Sequence, residues 1–169
     1  MLGGARSGKS AYAESLVDDG GPVRYLATAR RDPSDADFEA RIAGHRARRP
    51  ASWTVAESAG ADIADILRSA TPATLLDDAG TWLTAEIDSA AAWDAPRGTI
   101  TPRTDALVRA VTDYRARLVV VSPEVGLGVI PETRSGRLFR DELGVLNQRL
   151  AAVCDEVFFV VAGIPVRLK

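Results

Sequence analysis

The chain has little of what several function classes require. Its single cysteine, Cys154, excludes an internal disulfide and suits a reducing compartment. No apolar run approaches the roughly 20 residues of a membrane-spanning helix, and the first residues, MLGGARSGKS, lack a signal-peptide h-region. A net charge of −2 over 169 residues leaves no basic excess for a general nucleic-acid binder. There is one histidine, His45, so no site within a single chain can draw on two. The expectation is a cytoplasmic protein without stable membrane insertion. Its length fits one domain over residues 1–169.

What is present is an alternation of short apolar runs with helical stretches. VRYLAT (23–28), ATLLD (73–77), RLVVVS (117–122), EVFFVV (156–161) and IPVRL (164–168) read mostly as continuous apolar strands, the pattern of parallel strands covered on both faces. Between them, residues 8–18 follow a glycine-rich turn. Residues 35–47 place Phe38, Ile42 and His45 at i, i+4 and i+7. Thr101-Pro102 supplies an N-cap and first helical position for a helix to about Arg115. Residues 133–153 repeat Leu138, Phe139, Leu143, Leu146, Leu150 and Val153 at helical spacing. Such alternation predicts an α/β fold with a mostly parallel sheet flanked by helices. Only Ala162-Gly163 separates the last two strands, too little for a crossover helix, so the final strand is expected to be antiparallel. Residues 92–102 read as a surface loop.

Residues 3–10, Gly3-Gly4-Ala5-Arg6-Ser7-Gly8-Lys9-Ser10, match G-x-x-x-x-G-K-[ST]. The glycines let successive amides curl around phosphate oxygens, and the next helix turns its positive end to the same anion. Lys9 would reach the β- and γ-phosphates, and the Ser10 hydroxyl would ligate Mg²⁺. A buried strand should precede such a loop, yet only Met1 and Leu2 do, which reads as a truncated first strand. The partner acid should end a neighbouring strand. Asp77 closes the run ATLLD, and Glu124 follows the run from Leu118 to Ser122. Either acid could instead cap a helix or a loop.

His45 lies in Arg41-Ile42-Ala43-Gly44-His45-Arg46-Ala47-Arg48-Arg49-Pro50. A neutral imidazole is a good nucleophile toward phosphorus, and neighbouring arginines favour the neutral form while gathering a triphosphate. The same residues also fit a histidine completing an apolar helix face beneath a solvated row of arginines. Trp53, Trp82 and Trp93 suit core packing better than a partner-binding stripe.

Together these motifs resemble the bifunctional adenosylcobinamide kinase / adenosylcobinamide-phosphate guanylyltransferase family. The similarity runs from Gly3 to Lys169. It rests on GGARSGKS at 3–10, YLATA at 25–29, RIxxHxxxRP at 41–50 with Trp53 and Glu57, LLD at 75–77, EVGLGVIP at 124–131, RLFRDELGxLNQRLA at 137–151 and GIPVRLK at 163–169. The phosphate loop alone is generic, whereas its combination with the histidine and EVGxGxxP segments is far more specific.

The resemblance implies a RecA-like P-loop domain that forms a homotrimer. ATP or GTP with Mg²⁺ would phosphorylate adenosylcobinamide. GMP from GTP would then pass through a GMP–histidine intermediate on His45 to adenosylcobinamide phosphate. It further implies nucleotide contacts from residues 3–10, from Ala27, Thr28 and Ala29, from Arg46, Ala47, Arg48 and Arg49, from Glu57, and from Asp77, with Ser10 and Asp77 on Mg²⁺. Asp77 stands where relatives often carry glutamate, and Pro123 where they often carry asparagine. Some members perform only the guanylyltransferase half. The remaining alternatives are another small P-loop kinase or a nucleotide-dependent binding module.

Overall fold

The computed structural model describes residues 1–29, 44, 49–57, 63–68 and 72–169. The helix expected over 35–47 lies outside them apart from Gly44, and so do His45, Arg46, Ala47 and Arg48.

Among the described residues the strands are β1 (Leu2–Gly3), β2 (Val23–Ala27), β3 (Thr54–Glu57), β4 (Ala73–Asp77), β5 (Leu118–Pro123), β6 (Phe158–Val161) and β7 (Ile164–Arg167). The helices are α1 (Lys9–Val17), α2 (Ile63–Arg68), α3 (Ala79–Ser89), α4 (Thr101–Asp113) and α5 (Arg134–Val153). The sheet runs β3-β2-β4-β5-β1-β6-β7. Every neighbouring pair is parallel except β6–β7, so the antiparallel final strand stands where the short connection demanded it. Ala162 (φ 50) and Gly163 (φ 79) both turn left-handed between β6 and β7, the conformation that suits a two-residue hairpin.

The first strand is short but present. The amide of Ser122 donates to the carbonyl of Met1 (2.9 Å) and that of Glu124 to the carbonyl of Gly3 (3.0 Å). The N-terminal amine donates to the carbonyl of Val120 (2.7 Å). Two residues therefore suffice to hold the strand between β5 and β6, because both neighbours supply ladder partners.

Alternation along each strand divides the core into two layers. On one face Val23, Tyr25, Leu75 and Val121 pack with Trp53 against Ala13 and Val17 of α1. On the other, Leu26, Leu76 and Val120 meet Leu83 and Ile87 of α3, Leu107 of α4, and Leu143 and Leu146 of α5. Burying each such leucine is worth about 1.5–3 kcal/mol. Trp53 and Trp82 are buried, in keeping with core packing.

Local signals set the helix ends, with one correction. Thr133 caps α5 by accepting from the amide of Gly136 (3.1 Å). Thr101 is not the cap of α4: Ile100 takes that position without a side-chain bond, and Pro102 becomes the second helical residue. The preceding turn already supplies backbone partners, with the amide of Thr101 donating to the carbonyl of Gly98 (3.0 Å). Four-residue β3 and six-residue α2 are not signalled by periodicity, since neither is long enough to repeat.

Candidate functional site

The chain leaves β1 at Gly3 and curls into a loop before α1. Gly3 has to be glycine: a Cβ there would lie 2.5 Å from Ser7 Oγ and 2.8 Å from the carbonyl of Val160. Arg6 (φ 54) and Gly8 (φ 92) adopt left-handed conformations, which turns the loop amides inward. The helix that follows has no side-chain cap and no acidic residue in its first turn. Its leading amides are thus left for an anion. Lys9 Nζ donates to the loop's own carbonyl at Gly4 (3.3 Å). The C-terminal hairpin braces the loop, since the amide of Gly163 donates to the carbonyl of Ser7 (2.8 Å).

Asp77 is the last residue of β4, and its strand is not the neighbour of β1. The strand β5 lies between them, so the expectation of an acid on an adjacent strand is corrected to one strand further. Glu124, at the end of the adjacent strand, is occupied locally: its Oε1 accepts from the amide of Gly126 (2.5 Å). The helix-capping role that a carboxylate could take here falls to Asp78 and not to Asp77. Asp78 caps α3, accepting from the amide of Thr81 (2.7 Å). Asp77 shares the strand parity of Leu75 and so belongs to the α1 face of the sheet.

The registers set further expected residues beside Asp77. Ala27 pairs with Glu57 on one side and Asp77 on the other, so the three form one row across β3, β2 and β4 at their carboxyl ends. Thr28 is buried and fastens this corner. Its hydroxyl donates to the carbonyl of Asp78 (2.7 Å) and accepts from the Asp78 amide (2.8 Å). Its own amide donates to the carbonyl of Asp77 (3.2 Å). Ala29 follows directly. Residues 3–10, 27–29, 57 and 77 thus gather at the carboxyl edge of the parallel strands, where open α/β sheets bind ligands.

Three residues that carried no role in the sequence reading hold this edge together. Tyr25 donates its hydroxyl to Asp77 Oδ2 (2.6 Å). Burial, followed by the charge of Asp77, pushes its ionisation far above the usual phenol range. Glu14 lies 3.8 Å from Arg49 Nε, and both side chains are largely buried. The Arg49 guanidinium carbon sits 3.3 Å from the centroid of the Tyr25 ring. The third, Asn147, accepts from buried Ser122 Oγ (2.6 Å) and donates to the carbonyl of Pro123 (3.1 Å). Pro123 itself packs on Gly80, where a Cβ would come within 2.6 Å of the proline Cγ. The tyrosine was within the YLATA motif, but only the register between β2 and β4 reveals its target.

No helix among the described residues is long and apolar enough to cross a membrane. Comparison with solved structures finds the assembled ATPase EscN of the enteropathogenic E. coli type III secretion system. The match has a TM-score of 0.52 and 13% identity, over 95% of this chain and 42% of that one. This likeness is one of fold, and it supports a P-loop ATPase-like sheet. Among curated proteins, the chain is 41% identical over 175 residues to the bifunctional adenosylcobalamin biosynthesis protein CobP of Pseudomonas aeruginosa, covering 100% of this chain and 95% of that protein. It is 40% identical to CobU of Salmonella typhimurium and 37% identical to CobU of Escherichia coli K12, each match covering 98% of the relative. The family model for cobinamide kinase / cobinamide phosphate guanyltransferase matches residues 1–168. On this match over nearly the whole chain, and with relatives 37–41% identical along their length, the chain belongs to the cobinamide kinase / cobinamide phosphate guanyltransferase family.

Proposed function

We propose that this chain phosphorylates the aminopropanol hydroxyl of adenosylcobinamide with ATP or GTP, and then transfers GMP from GTP to adenosylcobinamide phosphate. The observation that carries this reading is the family match over residues 1–168, which includes both the phosphate loop and the histidine segment.

In the kinase step, the amides of residues 4–8, the open end of α1 and Lys9 grip the outer phosphates. Ser10 and Asp77 offer the hard oxygens that suit Mg²⁺. They would hold the ion by one hydroxyl and one carboxylate, the sparse protein ligation that suits Mg²⁺ on a phosphate substrate. When bound, Mg²⁺ supplies charge neutralisation on the phosphates.

In the transferase step, neutral His45 attacks the α-phosphorus of GTP. A P–N bond forms, the α–β P–O bond breaks, and pyrophosphate leaves. A phosphate oxygen of adenosylcobinamide phosphate then attacks the same phosphorus. It expels the imidazole and forms the diphosphate of adenosylcobinamide-GDP. Ala27, Thr28, Ala29, Glu57, Arg46, Ala47 and Arg48 complete the nucleotide contacts in this reading. A cytoplasmic homotrimer with the nucleotide near a subunit boundary accompanies it.

Mass spectrometry after exposure to GTP tests the proposal. The expected result is a GMP adduct that is acid-labile, base-stable and lost in His45→Ala. Absence of any adduct, with GTP bound, would reduce the protein to a kinase or a binding module.

A further inference from the structure

Ser10 and Glu14 lie four residues apart on α1, one turn from each other. The helix that offers a hydroxyl to the metal therefore carries a carboxylate one turn behind it. That carboxylate is 3.8 Å from Arg49, and the two side chains are only 14% and 8% exposed. A guanidinium so buried needs a partner, because desolvation is otherwise costly. Glu14 supplies the charge, and the face of Tyr25, 3.3 Å away, supplies the contact above the plane. The same tyrosine donates its hydroxyl to Asp77 at 2.6 Å. Thus a continuous interior path, Glu14–Arg49–Tyr25–Asp77, connects the helix after the phosphate loop to the acid of β4.

We infer that Tyr25 is a positioning residue for the metal: it fixes the plane of the Asp77 carboxylate, and Arg49, paired with Glu14 of α1, locks Tyr25 in place. A carboxylate oxygen engaged by a hydroxyl donor is restricted in rotation, and outer partners of this kind typically change metal affinity by 10–100-fold when lost. Arg49 accordingly serves as an interior anchor rather than a phosphate contact. It also ties the segment directly after His45 to the acid on which the outer phosphates depend. This inference rests on the assignment of Asp77 to Mg²⁺ made above.

The test is a Mg²⁺ titration of fluorescent GTP-analogue binding by the full chain, with parallel binding in EDTA and a thermal melt. Wild type is compared with Tyr25→Phe, Asp77→Asn, the double variant and Arg49→Lys. Tyr25→Phe is expected to raise the half-saturating Mg²⁺ about tenfold while leaving affinity in EDTA unchanged. Asp77→Asn should raise it at least as much, and the double variant should be no worse than Asp77→Asn alone. Arg49→Lys keeps the charge but loses the planar stack, so it should shift the requirement in the same direction by less. Full additivity of the two single changes would overturn the inference. So would an equal loss of affinity with and without Mg²⁺. If Asp77→Asn raises the Mg²⁺ requirement and Tyr25→Phe does not, only the inference falls. If Asp77→Asn leaves it untouched, the metal assignment falls first and the inference with it.

Discussion

Gly8 and Gly163 meet so closely that a Cβ on Gly8 would stand 3.1 Å from the Cα of Gly163. The phosphate loop is therefore seated on the C-terminal hairpin turn, and the two can be separated by mutation. Gly8→Ala combines that contact with a φ of 92 and should abolish nucleotide binding. Gly163→Ala meets nothing within 4 Å and has only its φ of 79 to resist. It should cost about 1–2 kcal/mol and leave most binding intact. Calorimetry for the ligand and chemical denaturation for stability distinguish these outcomes.

Lys9 is held within the loop by the carbonyl of Gly4, 3.3 Å away, and both proposed reactions use a triphosphate. Lys9→Ala should lower both rates by about 100-fold or more, the usual effect of losing one donor to a developing anion. Separate assays of phosphorylation and of GTP-dependent pyrophosphate release check this. Loss confined to one reaction would show that the two do not share the loop.

Asn147 joins Ser122 Oγ to the carbonyl of Pro123 from within α5. Asn147→Leu fills the space but strands a hydroxyl that is only 2% exposed at residue 122. A cost of about 1–3 kcal/mol is expected. Adding Ser122→Ala should recover part of it. Urea melts of the single and double variants give the coupling.

Cys154 follows α5, and burial above all raises its thiol's ionisation above the ordinary value of 9.0. The folded chain then keeps the proton longer than the unfolded one. The stabilisation is complete below pH 9.0 and fades as pH rises through the higher folded value. Alkylation by iodoacetamide at pH 8 should be slower in the folded than in the urea-unfolded protein. The dependence of stability on pH above 9 should flatten in Cys154→Ser. Equal alkylation rates in the two states would contradict the burial effect.

The sequence made the parallel strands legible because β2, β4 and β5 are covered on both faces and so are mostly apolar between their ends, Arg24, Thr74 and Ser122 apart. The phosphate loop was equally plain, since its glycines answer to backbone geometry that few other residues satisfy. Strand order was not legible. Nothing in ATLLD or RLVVVS says that β5 enters between β1 and β4, because that choice is made by helices covering the two faces. The Tyr25–Asp77 bond spans 52 positions, so spacing along the chain could not reveal it. Arg49 reads as one of three clustered arginines at 46–49, and nothing in that run says that its side chain lies against Tyr25 and Glu14.

The interposed β5 has a consequence for how the two strand ends can meet. Two strand spacings of about 4.8 Å put roughly 10 Å of sheet between the backbone of β4 and that of β1. Helix α1 lies across that width, its Ala13 and Val17 packed with Leu75 of β4 and Val121 of β5. The helix leaving the glycine loop, rather than the reach of the short Asp77 side chain, therefore closes the distance that the strand order opens.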